Sequence, residues 1–424
     1  MEPRKAALDV LAKFNSANVG YCLLRNYDFL KIEVSPGKDV DLCVSRKYVK
    51  RVTNILENSG FSREKICRFS NHLGYVKYFP SDLKLLKFHI HVGGVVGSTI
   101  TYLSAVSVVS RRVRFGKGYV LSPEDYVLST ILHAGSAEKY RSSIRNLKNL
   151  DQSYMLKRLC SIMDDCTANR LLKAILKNDF ELIELMWSEV RRSIKSKNKF
   201  RHISVRIICG LSKIPDLVRG APVISFIGMD GSGKTTTTSK VVEILKAHKI
   251  KTSRVYTGRG RGNILPIQKI GRPYKRFEKK FDSKSRKNNV VSLKRRIIYN
   301  FAAPIFYADF LIRYFDIFLK RRTKKVVIVD RFGSDILLMD HVWIFLRKLL
   351  YFFTPKPTAT IYLYNTFSTL YRRKSNHPRG DLERQAKLFN KILLSMPKVT
   401  RIKSVTETQT LKDAMKVVFK ELIR

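Results

Sequence analysis

Val223-Ile224-Ser225-Phe226-Ile227-Gly228-Met229-Asp230-Gly231-Ser232-Gly233-Lys234-Thr235-Thr236 runs a continuous apolar stretch into the pattern G-x-x-x-x-G-K-T. The stretch predicts a buried strand. Beyond it, Val241, Ile244, Leu245 and His248 recur on one helical face, so strand, glycine loop and helix follow in the order a phosphate-cradling turn requires. Gly228, Gly231 and Gly233 let the backbone curl so that successive N–H groups point inward, and Asp230, Ser232 and Thr236 complete the expected nucleotide contacts. Lys234 is placed to reach the β and γ phosphates and the Thr235 hydroxyl to hold Mg²⁺, so ATP and Mg²⁺ are the expected cofactors.

A nucleotide-binding fold needs this turn near its own start, yet the turn begins past the midpoint of 424 residues. Residues 221–424 are therefore expected to be one domain and the preceding half something else. Ser253–Thr257, Val326–Val329, Thr358–Tyr364 and Thr400–Val405 read as further strands, with Lys294–Lys320 as an intervening helix. This alternation predicts an α/β fold with a parallel sheet covered by helices on both faces. Asp330 and Arg331 directly follow a buried strand. Asp330 is suited to orient Mg²⁺ and steady an acceptor, and the Arg331 fork to grip an acceptor phosphate. Arg372 and Arg373, with Arg379 and Arg384 behind them, form a candidate lid that closes over the moving phosphoryl group.

In the first half, Tyr21–Arg25 and Gly37–Val44 read as strands within an α+β domain of residues 1–120. Alternation puts Asp39 and Asp41 on one face, as needed to hold a divalent metal against a triphosphate. His89 and His91 likewise share a face and suit a metal or a phosphate, or plain burial with backbone partners. Ser122-Pro123-Glu124-Asp125 opens a helical extension over 121–200, in which Leu147, Leu150, Met155, Leu171 and Ile175 form core stripes and His133 reads as a core histidine. Residues 201–220 are basic, contain Pro215, and read as a linker.

A net charge of +48, from 82 Lys and Arg against 34 Asp and Glu, makes polyanions natural partners: nucleic acid, an anionic membrane surface or an acidic glycan intermediate. Six cysteines without paired spacing are expected to be reduced thiols of a cytoplasmic protein. No stretch reads as a signal peptide or a transmembrane span. Ile297–Leu319 and Val342–Phe353 come closest to membrane affinity; burial against the sheet is the simpler expectation, with a position peripheral to the membrane as the other.

Phe226–Thr236 resembles the phosphate loop of thymidylate kinases, Asp330-Arg331-Phe332 resembles that family's Asp-Arg-aromatic motif, and 371–384 is similar to its lid. The resemblance implies transfer of the ATP γ-phosphate to a nucleoside monophosphate such as dTMP, with Asp230 meeting the acceptor sugar. A homodimer is a further expectation. Ile227 stands where that family usually carries Glu, Asp335 stands where a Ser is expected, and 256–262 lacks the familiar Arg-Glu-Pro run. The chain also looks like the thymidylate-kinase-like proteins of surface-glycan synthesis, and residues 1–120 resemble a nucleotidyltransferase domain, although Arg25-Asn26 stands where that superfamily has a Gly-Ser pair. Two alternatives stay open beside the nucleotide kinase: a kinase for a sugar or polyol phosphate, and an ATP-switched protein binding nucleic acid or a membrane surface.

Overall fold

The computed structural model describes residues 3–31, 38–64, 71–97, 100–134, 141, 144–147, 149–211, 220–258, 264–265, 293–323, 325–339, 342–373, 379–393 and 398–423. It divides into two compact units, Met1–Pro215 with Ile423–Arg424, and Asp216–Leu422.

The first unit is built on a seven-stranded mixed sheet. In chain order its elements are α1 (Pro3–Ser16), β1 (Tyr21–Arg25), β2 (Val40–Val44), α2 (Val49–Asn58), β3 (Ser62–Arg63), β4 (His72–Phe79) and β5 (Lys84–Val92). They are followed by the β6–β7 ribbon (Gly94–Val96, Thr101–Ser104), α3 (Ala105–Ser110), β8 (Val113–Phe115) and β9 (Gly118–Val120). The sheet order is β3-β4-β5-β2-β1-β9-β8, with β2 parallel to β5 and antiparallel to β1. Ala7, Leu11 and Phe14 of α1 and Val52 and Leu56 of α2 pack on Leu23, Leu42 and Phe88 from one face. The helices α4 (Pro123–Ala134), α5 (Gln152–Ile162), α6 (Asp165–Leu176), α7 (Phe180–Leu185) and α8 (Trp187–Lys197) build a second core, where Met155, Leu159 and Leu171 are fully buried with Cys22 and Cys43. Aspartates start three of these helices. Asp151, Asp164 and Asp179 each accept the N–H three residues on, satisfying donors that the first turn leaves open. The expected linker begins instead as a helix, α9 (Lys199–Leu211), because Ile203 and Ile207 keep a helical period through the basic run.

The second unit has the expected α/β architecture. Five strands, β10 (Val223–Gly228), β11 (Thr252–Tyr256), β12 (Val326–Asp330), β13 (Ala359–Tyr364) and β14 (Val399–Lys403), pair in parallel in the order β11-β12-β10-β13-β14. The fully buried runs of β10 and β12 account for their uninterrupted apolar sequences. Helices α10 (Lys234–Ala247), α11 (Leu293–Arg322), α12 (Ser334–Leu337), α13 (Ile344–Phe352), α14 (Phe367–Arg373), α15 (Arg379–Leu393) and α16 (Glu407–Ile423) connect and cover the strands. From β10 the chain runs to the edge strand β11, returns to β12 beside β10 and then crosses to β13 on the other side of β10, so a crevice opens at the carboxyl ends of the central strands.

Burial of α11 and α13 is only half realised. Ala303, Phe310 and Ile317 of α11 are buried, but Ile298, Phe301, Ile305, Ile312, Phe315 and Leu319 are exposed along its other side, and α13 buries no residue. A 30-residue helix carrying apolar residues on both faces exceeds what one side of a five-stranded sheet can cover. No helix is long and apolar enough to cross a membrane among the described residues.

Candidate active site

The glycine loop closes between β10 and α10 as its sequence requires. Gly228 sits at φ 151°, and a β-carbon there would lie 2.3 Å from the Leu363 carbonyl oxygen on the paired strand β13. Gly233 caps α10 at φ 84°, a left-handed conformation that only glycine adopts without strain, so the first N–H groups of the helix face the loop. Those open donors and the positive end of the helix dipole favour an anion.

Lys234 is buried, and its Nζ donates to the Met229 carbonyl at 2.7 Å and weakly to Ser232 Oγ at 3.5 Å. Burial and the neighbouring Arg331 bring its pKa down to about 8. The lysine is thus folded against the loop that a triphosphate would fill, held by a carbonyl that a phosphate oxygen would outcompete.

Thr235 Oγ1 donates to Asp330 Oδ2 at 2.8 Å, across from the end of β12. Asp330 is buried, and Arg254 of β11 donates to the same oxygen at 3.1 Å. The other oxygen, Oδ1, has no hydrogen-bond partner among the described residues. A buried carboxylate oxygen without a partner is costly unless a cation or water completes it. With the Thr235 hydroxyl it gives an oxygen donor set of the kind Mg²⁺ takes, so the residues fit that ion.

Arg331 bridges the opposite wall. It donates to Asp230 Oδ1 and lies 3.6 Å from Asp335 Oδ2. Burial works against its charge, but Asp335 and Asp230 outweigh that and push its pKa up. Its φ of 66° is left-handed for a non-glycine residue. The conformation is fixed by its N–H to Phe226 O at 2.9 Å and by Thr257 Oγ1 donating to its carbonyl at 2.6 Å. Non-glycine residues held this way cluster at ligand sites. The structure therefore brings Asp230, Lys234, Thr235, Asp330 and Arg331 together at one crevice.

The lid arginines do not join them. Arg372 and Arg373 end α14 in solvent, with Arg373 donating to the Val405 carbonyl at 3.1 Å. The side chains of Arg379 and Arg384, and the expected contacts from 259–262, lie outside the described residues. Arg254 was not singled out from the sequence. Its strand register beside Ile328, two residues short of the Tyr256–Asp330 pair, is what delivers it, and no local pattern encodes that pairing.

In the first unit Asp41 is buried on β2, with Arg25 Nε donating to its Oδ2 at 2.7 Å and His89 Nδ1 lying 3.0 Å from its Oδ1. Burial opposes its charge, but the His89 and Arg25 contacts bring its pKa down to about 2. Asp39 lies just before β2, with the Lys87 ammonium 3.9 Å away, and burial pushes its pKa up. Asp41 thus spends its oxygens on Arg25 and His89. Among the described residues, the ligand atoms of His72, His89 and His91 come within 4.8 Å of one another, a cluster that could hold a metal ion. His91 Nδ1 accepts the Val96 N–H at 3.1 Å, which leaves the proton of the neutral ring on Nε2, and a metal at that atom would have to displace it. His72 pairs with His91 across β4 and β5, a register the sequence did not reveal. His133 is exposed rather than core, and lines a cavity of about 600 Å³ with Trp187, Arg191, Lys195, His202 and Arg206.

No family model and no curated protein matches the sequence. Among solved structures, a thymidylate kinase from Candida albicans is similar at 15% identity and a TM-score of 0.35, over 47% of this chain and 92% of that one.

Proposed function

We propose that the second unit is an ATP-dependent phosphotransferase that passes the γ-phosphate of ATP to a nucleoside monophosphate of the dTMP kind. The observation that carries the reading is the Thr235–Asp330 pair set beside the helix-capping glycine loop, with Lys234 buried against it. Lys234 would leave Met229 O for the phosphates and offset their charge. Thr235 and Asp330 would hold Mg²⁺, which when bound neutralises charge between the β and γ phosphates. Asp230 and Arg331, already paired on the facing wall, would position the acceptor, with the arginine fork taking its phosphate. Arg372 and Arg373 would close over the reaction only after α14 moves, consistent with a lid read in its open position.

Asp335 beside Arg331 supports a second acceptor class, since an extra carboxylate there suits a hydroxyl-rich sugar or polyol phosphate. We read residues 1–120 as a nucleotidyltransferase-like domain that binds rather than transfers, because Asp41 is engaged by Arg25 and His89. The test is transfer from γ-labelled ATP with Mg²⁺ to panels of nucleoside monophosphates, sugar phosphates and polyol phosphates, using Asp330→Asn as control. Labelled nucleoside diphosphate would support the reading. Asp330-dependent label on a sugar or polyol instead would move it to the second class, and no labelled product from any acceptor would overturn it.

A further inference from the structure

Helix α13 is inverted relative to ordinary surface chemistry. Trp343, Phe345 and Phe352 are 61%, 74% and 75% exposed, Ile344 and Phe353 are exposed beside them, and none of the nine residues of the helix is buried. Half-buried Leu346 and Leu350 pack against buried Ala303 of α11 together with Met339 and Val342, and the Trp343 N–H donates to Asn300 Oδ1 at 2.9 Å. The helix is thereby pinned to the Ala303 side of α11, with Trp343, Ile344, Phe345, Phe352 and Phe353 left exposed as an apolar surface of its own, while Ile298, Phe301 and Ile305 lie on the other side of α11. Contiguous exposed apolar surface on this scale marks an interaction site.

We propose that this face docks on an anionic lipid bilayer, independently of what the kinase site phosphorylates. Charge selects that occupant. The chain carries +48, which attracts anionic headgroups and opposes close approach of a second copy. Lys348 is exposed three residues after Phe345 and four before Phe352, on the same side of the helix. A lysine there would be stranded in the dry centre of a protein interface, where lysine is depleted, whereas at a bilayer its long stem lets the ammonium reach the headgroups while the aromatic rings enter the acyl boundary. Arg296, exposed near the amino end of α11, adds charge at the edge of the face. The helix would lie in the interface plane.

Flotation of the full chain with phosphatidylcholine vesicles, with and without about 30% phosphatidylserine, at about 150 mM salt tests this. The expected result is binding to the anionic vesicles alone, weakened about ten-fold or more in the double variant Phe345→Ser, Phe352→Ser, and reduced by Lys348→Glu. The chain has two tryptophans, so in Trp187→Phe the emission reports on Trp343 and is expected to shift to the blue on anionic vesicles. The Phe345, Phe352 and Lys348 substitutions sit on a helix with no buried residue, and an unchanged thermal transition in every variant shows that the fold is kept. No binding at that salt, or binding indifferent to the phenylalanine pair, would overturn the proposal. So would a dimer in sedimentation that the same pair dissociates while vesicles leave Trp343 emission unmoved.

Discussion

Replacing Lys234 by Met is expected to stabilise the nucleotide-free protein while removing its affinity for ATP. The ordinary lysine value of 10.5 falls to about 8 in the folded chain, because burial and Arg331 disfavour the ammonium. The unfolded state therefore binds more protons between those two values, and stability rises as pH climbs through that window. Below about pH 8 the full cost is present, on the order of 3 kcal/mol from 1.36 kcal/mol per unit. Methionine fills much the same volume without charge. It forfeits the bond to Met229 O, worth about 1 kcal/mol, so the net gain is roughly 2 kcal/mol. For a unit of this size that raises the melting temperature by about 4–8 °C at pH 7. The assay is thermal unfolding of both proteins at pH 7 and pH 10.5, with and without Mg-ATP. The variant should melt higher at pH 7, the gap should narrow at pH 10.5, and only the wild type should gain from Mg-ATP. A variant that melts lower at pH 7, or that keeps the same gap at both pH values, would refute the reasoning.

Three further outcomes are expected. Gly228→Ala forces a β-carbon against the Leu363 carbonyl at 2.3 Å and strains a left-handed backbone, costing about 3 kcal/mol or more; denaturant unfolding reads this, and a loss below about 1 kcal/mol would contradict the loop geometry. Asp330→Asn keeps the shape but removes the carboxylate charge beside Thr235, and phosphoryl transfer should fall about 100-fold or more while the fold stays intact; steady-state kinetics at saturating ATP decide it. Asp41, brought down to about 2 from an ordinary 3.8, contributes about 2 kcal/mol above the upper value, and this is lost as pH falls toward the lower one. Asp41→Asn should thus destabilise the first unit at pH 7 and by progressively less in acid, as urea titrations at several pH values would show.

The parallel sheet and its glycine loop were legible because their signals are local: a buried strand with no alternation, glycines where the backbone turns, and a helix in phase immediately after. Asp330 and Arg331 were legible for the same reason, standing at the end of Val326–Val329. What the sequence withheld depends on register between distant strands. Arg254 reaches Asp330 only because β11 pairs with β12, and His72 meets His91 only because β4 pairs with β5. The outward faces of α11 and α13 misled for a different reason. Apolar content forecasts burial only when there is enough sheet to cover it, and hydropathy does not state how much sheet the fold provides. His133 failed similarly, since α4 turns it toward a cationic cavity rather than the core.

The most direct test of the central claim is calorimetric titration of Mg-ATP into the wild-type chain and Lys234→Met. Binding by the wild type at one site, weakened when Mg²⁺ is withheld and lost in the variant, is the predicted result. ATP binding that survives Lys234→Met unchanged would place the nucleotide elsewhere and contradict the account.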